Sequence, residues 1–137
     1  MSIFLEIVTP DSIAFAKEVK CVVLPTQNGR IQILPKHIPI IDRVIPGYVK
    51  IECDGEVDYF SVNKGFVEVY GEKVSIITDG AAKAAEEDED AIEEAIQKAQ
   101  TALKEAKDGN LDQAKIDQLE ATARFEMAKK IAKSKTH

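Results

Sequence analysis

The chain contains no tryptophan, two histidines, two cysteines and few aromatic residues. Each scarcity excludes something. No apolar run approaches the roughly 18 residues of a membrane-spanning helix, so direct membrane insertion is not expected. The opening "MSIFLEIVTPDS" has no basic stretch followed by a long apolar one and is not rich in Arg and Ser, so neither a signal peptide nor a transit peptide is expected. Cys21 and Cys53 sit among alternating apolar residues and read as buried, reduced thiols. No CxxC or His–Cys cluster accompanies them, and no metal site is expected. The net charge is −6 without a basic patch, which argues against nucleic acid as a partner, because phosphate neutralisation needs clustered Lys and Arg. G-x-S-x-G, P-loop, G-x-G-x-x-G and H-E-x-x-H patterns are all missing. His37 has no Ser or Cys partner at a motif spacing, and His137 is the final residue. The seven acids between 86 and 94 lack the Asp-x-Asp-x-Asp-Gly order of a calcium loop. No catalytic residue and no cofactor is therefore expected.

Proline is absent after residue 46, and only one glycine lies beyond residue 80. The chain changes character there. Residues 1–80 carry short β-rich runs ("IFLEIV", "VKCVVLP", "GRIQILP", "GYVKIEC", "EVDYFSV", "GFVEVY", "KVSIIT") separated by turn signals. "ECDGEV" and "VYGEKV" read as hairpins, the first because Asp-Gly readily takes the positive φ angles of a tight turn. The spacing predicts a β-sandwich or flattened barrel. Residues 81–137 are rich in Ala, Glu and Lys and predict an antiparallel two-helix hairpin. Ile92, Ile96, Ala99, Leu103 and Ala106 form one narrow apolar stripe; Ile116, Leu119, Ala123, Met127 and Ile131 form the other. Gly109 is placed to close the first helix and Asn110 to cap the second. Acids crowd the start of helix one and Lys and Arg the end of helix two, as the helix dipoles favour, so the two ends should attract in a hairpin. A narrow alanine-rich stripe buries little area, so the hairpin gains only modest stability from its own packing and is expected to undock where a partner offers a better surface.

"ILPKHIPII" (33–41) interrupts the β pattern. Pro35 and Pro39 forbid a helix and fix φ near −65°, making a stiff extended turn. Such a loop is a good docking surface, since little order remains to be lost on binding. His37 reads there as a structural or docking residue.

These residues resemble a known family. "NGRIQILPKHIPIIDRVIPG" (28–47) is similar to the G-x-x-G-I-L-P-G-H-A-P-L-L-T-x-L-x-P-G signature of the epsilon subunits of F-type ATP synthases, called delta in mitochondria. "LEIVTPDSIAF" (5–15), "VVLPTQNG" (22–29) and "NKGFVEVYGEKVSIITD" (63–79) resemble further family blocks in the right order. The resemblance implies a non-catalytic part of the central stalk, at the cytoplasmic face of the bacterial membrane. Such a subunit binds the gamma subunit, rests on the c-subunit ring and helps carry proton-driven rotation to the catalytic head. His37, Pro39 and Ile40 match the run whose surface meets gamma. Gly29, Arg30 and Ile31 match the loop that approaches the c-ring, with a basic residue where the family usually carries an acid. Gly65, Phe66, Val67 and Glu68 match the G-F-V-E core and turn motif. Gln32 and Lys36 stand where the family has glycines.

In some relatives the hairpin extends along gamma and inhibits hydrolysis by the alpha/beta catalytic head. Here Lys115, Arg124, Lys129 and Lys130 are the cations available for that, though they also read as a solvated face. Some relatives bind ATP through [IL]-D-x-x-R-A in helix one. In this chain Asp90 matches, but Glu93 and Glu94 replace the Arg and Ala, and no arginine occurs between 44 and 123. Phosphates beside seven carboxylates would be repelled, so ATP sensing should be weak or absent. The resemblance leaves a coupling role and an inhibitory role open. A free-standing adaptor with a β domain and a helical arm is the alternative.

Overall fold

A computed structural model describes residues 2–36, 39–109 and 112–136. Ten strands precede two helices: β1 (Ile3–Val8), β2 (Ile13–Val19), β3 (Cys21–Thr26), β4 (Gly29–Ile33), β5 (Ile40–Val44), β6 (Gly47–Cys53), β7 (Glu56–Val62), β8 (Gly65–Tyr70), β9 (Lys73–Thr78) and β10 (Ala81–Lys83). A short 3-10 helix (Ala84–Glu86) then leads to α1 (Glu89–Asp108) and α2 (Gln113–Lys135). This is a β-sandwich, nearly a closed barrel, followed by a helical hairpin.

Alternation builds the sandwich. In β1, Ile3, Leu5 and Ile7 are buried while Phe4, Glu6 and Val8 are half-buried, the signature of a strand with one face on a core. Val67 and Val69 of β8, Val74 and Ile76 of β9 and Val49 and Ile51 of β6 meet them from the other walls. The strand order is β10-β7-β6-β3-β5-β8-β9-β1-β2, with β4 pairing on β3. Among the described pairs, β1–β9 alone is parallel. Phe15 of β2 meets Phe60 of β7 edge-on, with centroids 5.5 Å apart, between the two ends of the strand order.

Both expected hairpins form. Asp54 and Gly55 take φ of 50° and 82° between β6 and β7, the two positive angles a type I′ turn needs. Gly65 is required for a different reason: a Cβ there would overlap the Ile77 carbonyl on β9. Four strands differ from the sequence reading, and β2 is one that no run marked. "VKCVVLP" is a corner rather than one strand, since β2 ends at Val19 and β3 starts at Cys21. At the corner Lys20 donates its backbone N–H to Glu52 O at 2.9 Å. β5 forms inside the segment read as a turn, because Pro39 precedes the strand and takes no ladder position in it. β10 lies past residue 80 and pairs with β7, so the sheet runs on through Lys83.

The hairpin is docked on the sandwich. α2 lies on β6 and β7, and α1 packs chiefly on α2. The α1 stripe is as expected at Ile92, Ile96 and Ala106, which are buried. The α2 stripe is not. Ala128 and Ala132 are its buried residues, whereas Met127 and Ile131 are 39% and 44% exposed. α2 is the middle layer and has two neighbours, so no single stripe describes it; the smallest side chains sit where it is most closely covered. Asp112, not Asn110, caps α2, its carboxylate accepting from the Ala114 N–H at 3.3 Å. Asn110 lies outside the described residues. Gly109 follows α1 as expected, and its N–H returns to Glu105 O at 2.9 Å.

Candidate functional site: the docking faces

The sandwich carries an apolar exterior on β5, β8 and β9. Alternation puts Ile41, Phe66 and Ile77 outward, 77%, 50% and 48% exposed. Phe66 pairs with Arg43 on one side and Ile77 on the other, making a row across three strands. The row lines a groove of about 760 Å³ together with Pro10, Ile45 and Lys64. An exposed apolar patch with a polar rim is unusual on a subunit that works alone.

The residues singled out by sequence fall beside this face, not all upon it. His37 lies outside the described residues. Pro39 is exposed at the start of β5. Ile40 packs against the core and pairs with Val69, so its neighbour Ile41 is the outward apolar side chain. Phe66 is likewise not core, although Val67 is. The signal was present in the sequence: in "GFVEVY" the phenylalanine shares its parity with Glu68 and Tyr70, not with the valines. Lys36 adopts φ of 68°, in the left-handed region, where the family signature has glycine.

Gly29–Ile31 begin β4, after a turn held from within. Thr26 Oγ1 donates to Gly29 O at 2.7 Å and accepts from the Asn28 N–H at 3.2 Å. Gln27 and Asn28 each donate a side-chain amide to Asp42 at 3.1 Å. These bonds, from Asn28 first and then the Arg43 N–H, hold the Asp42 carboxyl below its ordinary range. Ile31 faces the core, so the tip of this loop is polar. Arg30 does not project freely. Its guanidinium stacks 3.9 Å from the Tyr48 ring centroid and donates to Tyr48 O at 2.9 Å.

On the arm, the four candidate cations divide. Lys115 and Arg124 are exposed and show no ion pair among the described residues. Lys129 is mostly covered, 3.3 Å from Glu126, 3.9 Å from Glu87 and 4.8 Å from the Phe125 ring. Lys130 pairs with Glu93 at 3.3 Å. The acidic start of α1 and the basic end of α2 thus meet as the charges suggest. Glu93 and Glu94, which replace the Arg and Ala of the nucleotide motif, are engaged by Lys130 and Lys98. Both cysteines are free, Cys21 buried and Cys53 only half so.

Among the described residues no three His, Cys, Asp or Glu side chains gather into a metal site. No described helix is long and apolar enough to cross a membrane. What the molecule offers is faces: an apolar sheet exterior, a polar turn beside it and a charged, docked arm.

Fold and faces together define a class, the small β-sandwich subunits that end in a helical hairpin. The family model for the β-sandwich domain of the ATP synthase delta/epsilon chain matches residues 2–84, and the chain belongs to that family. The ATP synthase epsilon chain of Nitrosococcus oceani is 33% identical over 97% of this chain and 96% of its own length. That of Dichelobacter nodosus is 40% identical over 77% and 74%, and that of Campylobacter fetus 37% over 80% and 85%. The fold also matches a chain in the Euglena gracilis mitochondrial ATP synthase, solved as OSCP, F1 and c-ring, with a TM-score of 0.76 at 22% identity, covering 96% of this chain and 81% of that one. The chain is a non-catalytic member of the synthase complex.

Proposed function

We propose that this chain is a rotor subunit that couples turning of the c-ring to the catalytic head through the gamma subunit, at the cytoplasmic face of a bacterial membrane. The observation that carries the reading is the outward apolar face of Ile41, Phe66 and Ile77, which stands outside the core and stays exposed among the described residues. Gamma takes this face. The polar turn Gln27–Arg30, beside it in the fold, takes the c-ring. Relatives named as epsilon chains support the role. Ile41→Glu should abolish binding to gamma while leaving the fold intact, since the side chain is already 77% exposed. Co-purification with gamma reads the result. A folded variant that still binds gamma normally would refute this face, and a wild-type chain that ignores gamma would favour the free-standing adaptor.

A second role rests on Lys129 and Lys130. Lys129 is covered and tied to Glu126 and Glu87, so it can meet the alpha/beta head only if the arm opens, whereas Lys130 is half-exposed beside Glu93. Hydrolysis by an epsilon-depleted head tests this, after adding back either the full chain or a truncation after Ala84, which keeps β10 on β7. Suppression by the full chain alone makes residues 85–137 an inhibitory arm. No suppression by either leaves coupling as the function. ATP is not expected to control the arm, since the acids at its base repel phosphate.

A further inference from the structure

We propose that Tyr48 couples the β3–β4 turn to the docked hairpin, so that whatever holds Arg30 sets how firmly α2 is seated. The inference deepens the reading above, because that turn is the face assigned to the c-ring.

Tyr48 lies on β6, opposite Ser61 of β7, in the strands on which α2 rests. Two cations from distant parts of the chain use its ring. Arg30, from the turn, stacks at 3.9 Å from the centroid and also bonds the Tyr48 carbonyl at 2.9 Å. Lys135, the last residue of α2, places Nζ 5.0 Å from the same centroid. The ring also floors a cleft of about 260 Å³ beneath α2, with Pro46 and Gly47 below and Ala123, Met127 and Ile131 above. One side chain is therefore shared by the turn, the floor under α2 and the end of α2.

Two effects of Arg30 on the hairpin oppose each other. It fixes the Tyr48 ring through stacking and through a charged hydrogen bond, which favours docking. Its charge also repels Lys135, but two exposed charges in water at physiological salt repel weakly. Stacking and hydrogen bonding win, so Arg30 seats α2. A partner that draws the guanidinium away, such as an acidic or carbonyl-lined surface on a c-ring loop, loosens the arm. By linkage, opening of the arm changes the affinity of the turn for that partner by the same factor.

Hydrogen exchange of the α2 amides in the full-length chain reads the seating directly. Arg30→Ala should raise α2 exchange by roughly three- to tenfold, the loss of one cation–π contact and one charged hydrogen bond, with β1, β8 and β9 unchanged. Tyr48→Phe should leave it unchanged, because the contacts are with the ring and the backbone carbonyl. Tyr48→Leu should raise it, and Arg30→Ala should add a smaller increment in that background, because only the bond to the backbone carbonyl is left to lose. Should Tyr48→Leu fail to fold, Lys135→Ala takes its place and must be non-additive with Arg30→Ala. No effect of Arg30→Ala on α2, or the same increment with and without the ring partner, overturns the proposal. Assembly onto the c-ring separates the two readings. An Arg30→Ala chain that loosens α2 yet assembles normally keeps the coupling and removes the c-ring assignment. One that fails to assemble with α2 unchanged does the reverse.

Discussion

Single residues hold the candidate docking faces in shape, some of them under strain. Lys36 sits at φ of 68° between Pro35 and the start of the next strand. A left-handed conformation costs an L-residue about 1–2 kcal/mol, and glycine escapes it while losing some chain entropy. Lys36→Gly should therefore stabilise the protein by about 0.5–1 kcal/mol in urea denaturation. Unchanged or lower stability would mean the loop relaxes around the lysine. Glu6 offers a pH test. Its carboxyl is held below the ordinary value by the Ser75 hydroxyl, which donates at 2.6 Å, and then by Lys73 at 3.3 Å, against a burial effect that raises it. A depressed carboxyl contributes stability above its unfolded value, near 4.3, and loses it as pH falls through the folded value. Ser75→Ala should thus destabilise at pH 7 and approach the parent stability near pH 3. An equal deficit at both pH values would assign the loss to packing rather than to the carboxylate.

The elements show what a sequence makes legible and what it hides. Strands with one buried face and tight Asp-Gly or Gly turns announce themselves, and β1, β6, β7, β8 and β9 were readable from alternation alone. β2 was not, because "IAFAKEV" mixes alanine and charge on an edge where little is buried. β5 was hidden by its flanking prolines, and with it the outward direction of Ile41. The candidate docking face was legible only in part: family motifs marked its segment and the parity of Phe66 was there to be read, but the outward turn of Ile41 needed the β5–β8 ladder. In α2 the pattern failed for a physical reason. A helix with two covered sides presents two faces, and small residues, not large ones, mark the tightest points. Ala132 is fully buried there. Ala132→Leu should therefore undock the hairpin, at a cost of about 1–3 kcal/mol from overpacking. Faster amide exchange in both helices, with the sandwich untouched, is the expected outcome; slower exchange would show the interface has room to spare.

At the scale of the molecule, the charged contacts that tie α1 to α2 within the arm are modest. The cross-helix pairs Lys130–Glu93 at 3.3 Å and Lys107–Glu120 at 3.5 Å are largely exposed, and such pairs are worth at most about 1 kcal/mol each. Salt screens them. Raising sodium chloride from 0.05 to 0.5 M, roughly a threefold shortening of the screening length, should open the hairpin several-fold while the sandwich melts at nearly the same temperature. Helix proximity read by a fluorescent pair on α1 and β7 would follow it. If both parts respond alike, they unfold as one unit and the arm is not separately released.

The parallel pairing of β1 with β9 reaches beyond the finished structure, into how it is made. Phe4 through Val8 lie beside Lys73 through Ile77, so one flank of the first strand stays open until the ninth exists. Parallel, distant pairing is slow to close, because loop entropy is lost before the contacts form. A chain growing from its N-terminus holds this open edge through most of the β half's synthesis, when it can still capture a wrong partner. Once residue 78 emerges the sheet can shut, and the helices, which need only near neighbours, settle afterwards on a completed surface. Shortened chains that end before β9 should accumulate as aggregates, while those ending after β10 should remain in solution.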